Sequence, residues 1–553
     1  MGQVNVRIAS LSSAGEERFD YIVVGAGSAG CALAGRLAEA ACSVLLLEAG
    51  PPDRSPWIHV PAGMTRLYTH PGFNWRFESE PVDALEGRTL YQPRGKVLGG
   101  TSSINGTVYM RGTPSDYDEW RQKGCEGWDW DSVLPYFKRA ENQARGPDAW
   151  HGGDGPLPVS DAPGQPVIAR AAVEAAVEIG FPRNRDFNGP DQEGAGFYQF
   201  TASGRRRWSA ARAYLGRGRT RPAIRTNVLV ERILFEGRRA IGVTYRDRGG
   251  LRTARAQGEA VLSGGTFGSP QVLQLSGIGP GNELRRHGIE VVCDLPAVGA
   301  NLHDHFNTYL TFRTRAPGTL NELANHRWRL FRAMVRYAVL GNGPLANTGV
   351  CAGAFVRSDP RLERPDLQIN VILWSAAERS IEGVRPHPFN AFMLSPVHLR
   401  PDGRGSVRVR SADPRQPPEI RFEFLVSEYD RSAILHGMRL CRRMAAAPSL
   451  APLVQEEVLP GPEIRDDEAL LADVRRRAIA NYHPVGTCRM GLGRDSVVDS
   501  RLRVHGIAGL RVADASIMPQ IVAGNTNAPS IMIGEKAAAM LLQDARREGS
   551  GRG

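Results

Sequence analysis

The chain has 553 residues, 42% of them hydrophobic and 23% charged, and carries a formal net charge of +11. That length allows more than one core, because domains usually hold about 100 to 200 residues, so two intertwined domains, or one domain with a large insertion, are expected. The composition is that of an ordinary globular protein, and no apolar run approaches the ~20 residues that a membrane span needs.

The first 18 residues are polar, with neither a basic stretch followed by an apolar one nor a twin-arginine pair. A cytoplasmic protein is expected, with peripheral association at the inner membrane left open. The seven cysteines, Cys31, Cys42, Cys125, Cys293, Cys351, Cys441 and Cys488, include no CxxC pair, so buried free thiols are expected, with no metal cage or redox dithiol.

Residues Tyr21 to Val24 read as a buried strand, Gly25 to Gly30 as a tight turn, Cys31 to Glu39 as a helix, and Ser43 to Leu47 as a second strand ending on Glu48. A dinucleotide-binding βαβ unit requires this order. Gly25 permits the turn, Gly27 lets the backbone approach a pyrophosphate together with Ser28 and Ala29, and Gly30 lets the helix pack on the strand. The helix N-terminus supplies N–H groups and positive dipole for phosphate. Glu48 stands 23 residues after Gly25, placed to accept two ribose hydroxyls. A nucleotide cofactor follows, and the motif leaves FAD and NAD both open.

Residues Pro51 to Val82 are rich in Pro, Gly and aromatics and read as a long loop over the nucleotide site. From Pro93 to Gly106, glycines alternate with small hydroxyl residues and leave backbone bare for a flat polar ring or a phosphate. Trp128 to Asn142 is helix-like and runs into a Gly/Pro-rich linker. Pro166 to Gly180 is an Ala-rich amphipathic helix. Eight arginines fall between Arg205 and Arg225; the apolar residues among them favour a solvated basic face over a nucleic-acid stripe, so no nucleic-acid partner is expected. From Asn227 three alternating runs read as a β-meander. His303 and His305 lack a third ligand at suitable spacing, which favours structural roles over metal binding. Further on, Tyr309–Arg313, 367–373, 391–397 and 406–410 alternate as strands, and Ser427 to Ala446 reads as a helix.

The runs Gly95 to Trp120, Gly264 to Pro280, Asn481 to Gly491 and Leu510 to Ala538 together resemble the signature blocks of the glucose-methanol-choline (GMC) flavoprotein oxidoreductases, most of all the bacterial choline-dehydrogenase-like alcohol dehydrogenases. The resemblance spans nearly the whole chain and implies FAD. It also implies an α/β fold: a Rossmann-like FAD-binding domain from residues 19–155, 226–310 and 479–545, and an α+β substrate-binding domain, an antiparallel sheet flanked by helices, from 156–225 and 311–478. Trp374, Phe392 and Met393 are candidates for the substrate wall.

Under the resemblance, Gly99, Gly100, Thr101 and Ser102 face the phosphate-ribityl stretch of FAD, and Asn105 and Gly106 lie near its reactive ring. Val230 meets the adenine through its backbone, and Asn525 and Thr526 join the cofactor contacts. Asp514 helps bind the ribityl or pyrophosphate part, with a helix cap as its alternative. Some members attach FAD through a histidine; the matching residue here is Ile104, so the cofactor is expected to be non-covalent. His483 matches the catalytic base, suited to it because an unperturbed imidazole, with a pKa of about 6.5, is mostly neutral at pH 7. Asn525 matches the second polar group and can only position the alcohol oxygen. Asn527 is expected to hold the loop or the flavin edge.

The expected reaction is oxidation of an alcohol to an aldehyde or ketone, with hydride passing to flavin N5 and O2, a quinone or another carrier as final acceptor. A lyase or fatty-acid photodecarboxylase on the same fold is the alternative. Residues 368–379 offer no acidic and aromatic cage for a quaternary ammonium, so a hydrophobic or aromatic alcohol is preferred to choline.

Overall fold

The computed structural model describes residues 17–162, 164–216 and 220–550; most of the polar N-terminal stretch, and Arg217 and Arg219 of the basic run, lie outside them. Strand β1 (Glu17–Val24), helix α1 (Ser28–Glu39) and strand β2 (Val44–Glu48) form the expected βαβ unit, with β1 beginning four residues earlier than its apolar run. The last four residues of β1 and all of β2 are buried, as continuous apolar runs must be in a parallel sheet covered on both faces. Strand β3 (Ala223–Thr226) pairs parallel with β2, and β4 (Leu229–Glu236), β5 (Arg239–Asp247) and β6 (Gly250–Leu262) form the meander. Strand β7 (Leu510–Val512) adds parallel to β6, giving a spatial order β3-β2-β1-β6-β5-β4 with β7 beside β6. Because β3 belongs to this sheet, the nucleotide fold resumes a few residues before the expected boundary at 226.

Strands β1, β2, β3, β6 and β7 run parallel, so their carboxyl ends, Val24, Glu48, Thr226, Leu262 and Val512, open on one side. Ligands of open α/β sheets bind outside those ends. Helix α2 (Asn527–Ser550) packs across α1, and Arg36 of α1 donates to Glu535 of α2 at 2.9 Å. The two ends of the chain therefore close over one nucleotide unit.

A second, antiparallel sheet has the order Glu456–Leu459, Leu310–Arg313, Ala391–His398, Leu367–Ile372, Val350–Val356, Gly194–Phe197. Helices Val167–Glu178 and Glu428–Ala446 touch each other and cover one face. The other face turns Asn307, Asn370, Ile372 and Ser395 toward the first sheet's open side, as the two-residue period of a strand dictates. Each sheet has its own apolar core.

Two expectations change. The stretch 51–82 is not structureless: it holds helical turns Pro56–His59, Pro61–Gly63 and Met64–Leu67 and a short strand, Phe77–Glu78, paired with Tyr91–Gln92. Pro56 and Pro61 sit at first helical positions, where proline fits. The basic run is not all solvated either. Arg207 is buried and donates to the Ile58 carbonyl and to Asn105 Oδ1 at 2.9 and 2.8 Å, bracing the loop after Gly100. All seven cysteines are free, six buried and Cys42 half-buried.

Candidate active site

A continuous cavity runs from the open ends of the parallel strands to the second sheet's inner face. At one end stand Gly25, Gly27, Ser28, Ala29, Glu48 and Val230; in the middle Gly100, Thr101, Asn105, Gly106, Asp514 and Thr526; at the other end His483 and Asn525. Three expected contact residues lie behind this wall. Gly30 packs helix on turn: a Cβ there would sit 1.9 Å from the Gly25 carbonyl oxygen. Gly99 donates its N–H to the Ala26 carbonyl at 2.8 Å, and buried Ser102 accepts from Ala210 N at 3.0 Å. Both hold the second glycine loop to its supports and stand outside the cavity lining.

The nucleotide end fits FAD. The N-terminus of α1 has no side-chain cap, so its N–H groups remain for phosphate. Gly25 has φ of +100°, and a Cβ on Gly100 would lie 2.7 Å from Gly27 Cα; the two glycine loops meet backbone to backbone and leave the cradle bare. The Glu48 carboxylate is fixed by N–H donation from Ala26 and Gly50, both at 2.9 Å. Burial pushes it up to about 7 against those bonds. Its remaining lone pairs can accept ribose hydroxyls. Asp514 accepts from Gly265 N at 2.8 Å and Ser269 Oγ at 2.5 Å and caps the turn Ala515–Ile517 through Ser516 N at 2.8 Å. Its carboxylate is thus held by three protein donors, and the residue lines the cavity. Asn527 accepts from Ser28 Oγ at 2.7 Å, tying the start of α2 to the glycine turn.

At the other end, His483 is the junction of a polar network. Its Nε2 accepts from Asn525 Nδ2 at 2.9 Å, and its Nδ1 faces His305 Nδ1 at 3.0 Å, the two rings nearly perpendicular. The tautomer that satisfies both contacts carries its proton on Nδ1 and makes Nε2 the acceptor, taken by the Asn525 amide here and open to a hydroxyl that displaces that amide. Burial, then the neighbouring His305 and Arg94, hold His483 well below the ordinary imidazole range. Burial likewise depresses His305 to about 3, with His398 adding to it, so it stays neutral and accepts the Nδ1 proton. The His483 backbone N–H donates to Asp304 Oδ1 at 2.8 Å. Tyr482, just before it, takes a left-handed φ of +65°, its carbonyl held by Arg94 Nη2 and its hydroxyl by Tyr68, both at 2.5 Å. Held in a conformation costing of order 1–3 kcal/mol, Tyr482 fixes where the imidazole points.

Asn525 lies on the loop entering α2, and that loop is pinned from below. His303 accepts the Ile521 N–H on Nε2 at 3.0 Å and donates from Nδ1 to the Asn301 carbonyl at 2.7 Å. Asp116 accepts the Ala523 N–H at 2.8 Å; burial raises it, but Arg400 and the backbone donors outweigh that and hold it below the usual carboxylate range. Among the described residues neither His303 nor His305 sits in a cluster of three or more His, Cys, Asp or Glu able to hold a metal ion. Of the wall candidates, Trp374 lines the cavity. Phe392 stacks on Phe312 at 5.4 Å and Met393 is fully buried, so both are core, not wall.

Sequence reasoning missed Tyr68, Arg94, Trp75, Phe267 and Arg379, all of which line the cavity. Arg94 stood inside a recognised motif, and its type, an arginine in a glycine loop, was an available signal. Tyr68 and Arg379 carry none, since Tyr68 follows a short helical turn and Arg379 ends a short hairpin strand, neither of which bears a motif.

A family model described as GMC oxidoreductase matches residues 19–307 and 401–534. The chain belongs to the GMC oxidoreductase family. It is 41% identical to alcohol dehydrogenase [acceptor] of Pseudomonas putida over 95% of this chain and 96% of that one. It is also 41% identical to mitochondrial choline dehydrogenase of Homo sapiens, over 97% of this chain and 91% of the other. The crystal structure of pyridoxine 4-oxidase from Mesorbium loti superposes with a TM-score of 0.85 at 30% identity, covering 94% of this chain and 98% of that one. This GMC oxidoreductase is an FAD-dependent enzyme acting on CH–OH donors. The lyase and decarboxylase alternative gains no support from these relatives. No helix among the described residues is long and apolar enough to cross a membrane.

Proposed function

We propose that His483 Nε2 takes the hydroxyl proton of a primary or secondary alcohol while Asn525 Nδ2 donates to the same oxygen, giving an aldehyde or ketone. The observation that carries this reading is the 2.9 Å contact between these two groups at the cavity's end: an alcohol oxygen inserted between them would accept from the amide and donate to the imidazole. FAD, when bound, supplies the two-electron acceptor. Glu48, the α1 N-terminus and the two glycine loops would hold its nucleotide half, with Thr101, Asn105, Gly106 and Thr526 along the remainder and Val230 beside the adenine. With Ile104 where some relatives carry a linking histidine, the cofactor is held non-covalently. We divide the domains at 155, 225, 310 and 478, although β3 and the buried residues between Ala210 and Leu215 join the first sheet's core before 225, and Phe77, Leu90 and Val108 join the second sheet's core.

Anaerobic mixing with a panel of alcohols tests the reading, the expected result being bleaching of the visible flavin band with one equivalent of carbonyl product. If no alcohol bleaches a flavin that dithionite does reduce, the reading fails.

The acceptor for the reduced flavin is O2, a quinone or another carrier, and we place the protein in the cytoplasm, docked on an anionic bilayer surface. Helix Arg327–Leu340 supports this. It exposes Trp328, Phe331, Met334, Val335, Val339 and Leu340 alongside Arg327, Arg329, Arg332 and Arg336, and Trp328 and Val339 are 67% and 73% exposed. A helix with apolar residues on one face and arginines on another lies in a membrane interface. The protein is expected to sediment with phosphatidylglycerol-containing vesicles and far less with pure phosphatidylcholine, and the double variant Phe331→Glu, Val335→Glu should remain in the supernatant. A dimer in solution that the double variant dissociates would assign the same face to a second copy instead.

A further inference from the structure

The far wall of the cavity is a hairpin, Ala376–Arg379 paired with Val384–Pro386, fastened by Arg76 Nη2 donating to the Ile381 carbonyl at 2.9 Å. It presents Arg379 to the cavity. The guanidinium lies 4.3 Å from the Trp374 ring centre and 5.4 Å from that of Tyr309. Among the described residues its close polar contact is Nη2 to Met393 Sδ at 3.9 Å, and its Nε is buried without a hydrogen-bond partner there. Most arginines near this site are differently placed: Arg364 and Arg400 meet Asp116, and Arg477 meets Asp473. Among the described residues no carboxylate lies within ion-pair reach of Arg379.

The cavity as a whole repeats the pattern. Its acidic lining residues are Glu48 and Asp514, both toward the nucleotide. Its basic ones are Arg94 and Arg379, and Arg94 is committed to the carbonyls of Pro93 and Tyr482. Arg379 also acts electrostatically on the hydroxyls of Tyr68 and Tyr482, and Tyr482 adjoins His483, so its charge is felt beside the base. A stacked, half-buried guanidinium with an unfilled donor is built for a planar anion, which it can bind through two parallel N–H donations. A quaternary ammonium, by contrast, would meet Trp374 already covered by a like charge.

We propose that Arg379 is the handle for a carboxylate on the substrate, so that the alcohol oxidised here carries its CH–OH group at one end, against His483 and Asn525, and a carboxylate at the other, against Arg379 and Trp374. The inference rests on the alcohol-oxidation reading and names its substrate class. Tyr68, Trp75 and Phe77 line the cavity as well, which suits an aromatic or otherwise flat body between the two ends.

The test compares 4-(hydroxymethyl)benzoate with its neutral analogue 4-methylbenzyl alcohol and with choline, on the holoenzyme and on Arg379→Met and Arg379→Lys. A charge-assisted, bidentate contact predicts a kcat/KM for the carboxylate about 10- to 100-fold above that for the neutral analogue. Arg379→Met should erase this preference, lowering kcat/KM for the carboxylate far more than for the neutral alcohol, and Arg379→Lys should restore part of it. As a readout apart from turnover, 4-methylbenzoate should perturb the oxidised flavin spectrum saturably in the wild type and not in Arg379→Met. If the neutral alcohol or choline is the better substrate, or if Arg379→Met lowers all three equally with no loss of 4-methylbenzoate binding, the carboxylate handle is overturned while alcohol oxidation stands. If none of the three, nor any alcohol in the wider panel, reduces the flavin, both fall.

Discussion

Replacing His483 by alanine is expected to lower the rate of flavin reduction by about 10²- to 10⁴-fold, the usual worth of a positioned general base, while FAD remains bound. The two halves of this outcome have separate structural causes. His483 stands at the substrate end of the cavity, and the groups suited to the nucleotide, Glu48 and the glycine loops, stand at the other. Rapid mixing under anaerobic conditions measures the rate, and the visible spectrum after gel filtration measures the bound flavin. Added imidazole should restore part of the rate, which a purely structural role would not allow. The pH profile adds a sign. Only neutral imidazole accepts a proton, and burial depresses the His483 pKa well below 6.5, so the base stays competent as the pH falls and is lost only below its own lowered value. The wild-type rate should be flat between about pH 8 and pH 6. A rate that survives the substitution would remove His483 from its role, whereas a wild-type rate that drops tenfold per unit below about pH 6.5 would show an imidazole that burial does not depress.

The nucleotide half of the site was legible because phosphate chemistry leaves few options. Backbone must be bare where a pyrophosphate approaches; the spacing of Gly25 and Gly27 between β1 and α1 exposed them, and Gly100 stood out in the glycine-rich run from Pro93 to Gly106. His483 and Asn525 were legible only through family blocks; no local pattern says that two residues 42 apart lie in hydrogen-bond contact. Tyr68 and Arg379 were not legible at all. Tyr68 lies in the stretch read as a loop, and Arg379 ends the stretch 368–379, whose sequence showed only that it holds no acidic and aromatic cage. Arg379 is informative because it lacks a carboxylate, a fact of three-dimensional placement. Phe392 and Met393 erred in the other direction, since a strand pattern shows that alternate residues are buried and cannot say which face is core and which is wall.

Asn525→Ala should lower kcat by about 10²- to 10³-fold, as loss of a donor aimed at developing negative charge does, with a much smaller change in KM. The split follows from chemistry. In the ground state the alcohol oxygen is neutral and gains little from the amide N–H; as His483 takes the proton that oxygen becomes alkoxide-like, and the same donor then counts for more. The loop carrying Asn525 is held by His303 and Asp116, so truncating an amide on it should leave the backbone in place and the flavin bound. Asn525→Asp separates donation from space-filling. It is nearly isosteric, yet it sets a carboxylate beside the imidazole in place of a donor now at 2.9 Å. A neighbouring negative charge favours imidazolium, so the His483 pKa should rise and a falling acid limb should enter the measured pH range. Asn525→Ala should show no such limb. If Asn525→Asp is as active as the wild type with a flat profile, the oxygen is positioned by another group, and the amide serves only to hold the imidazole.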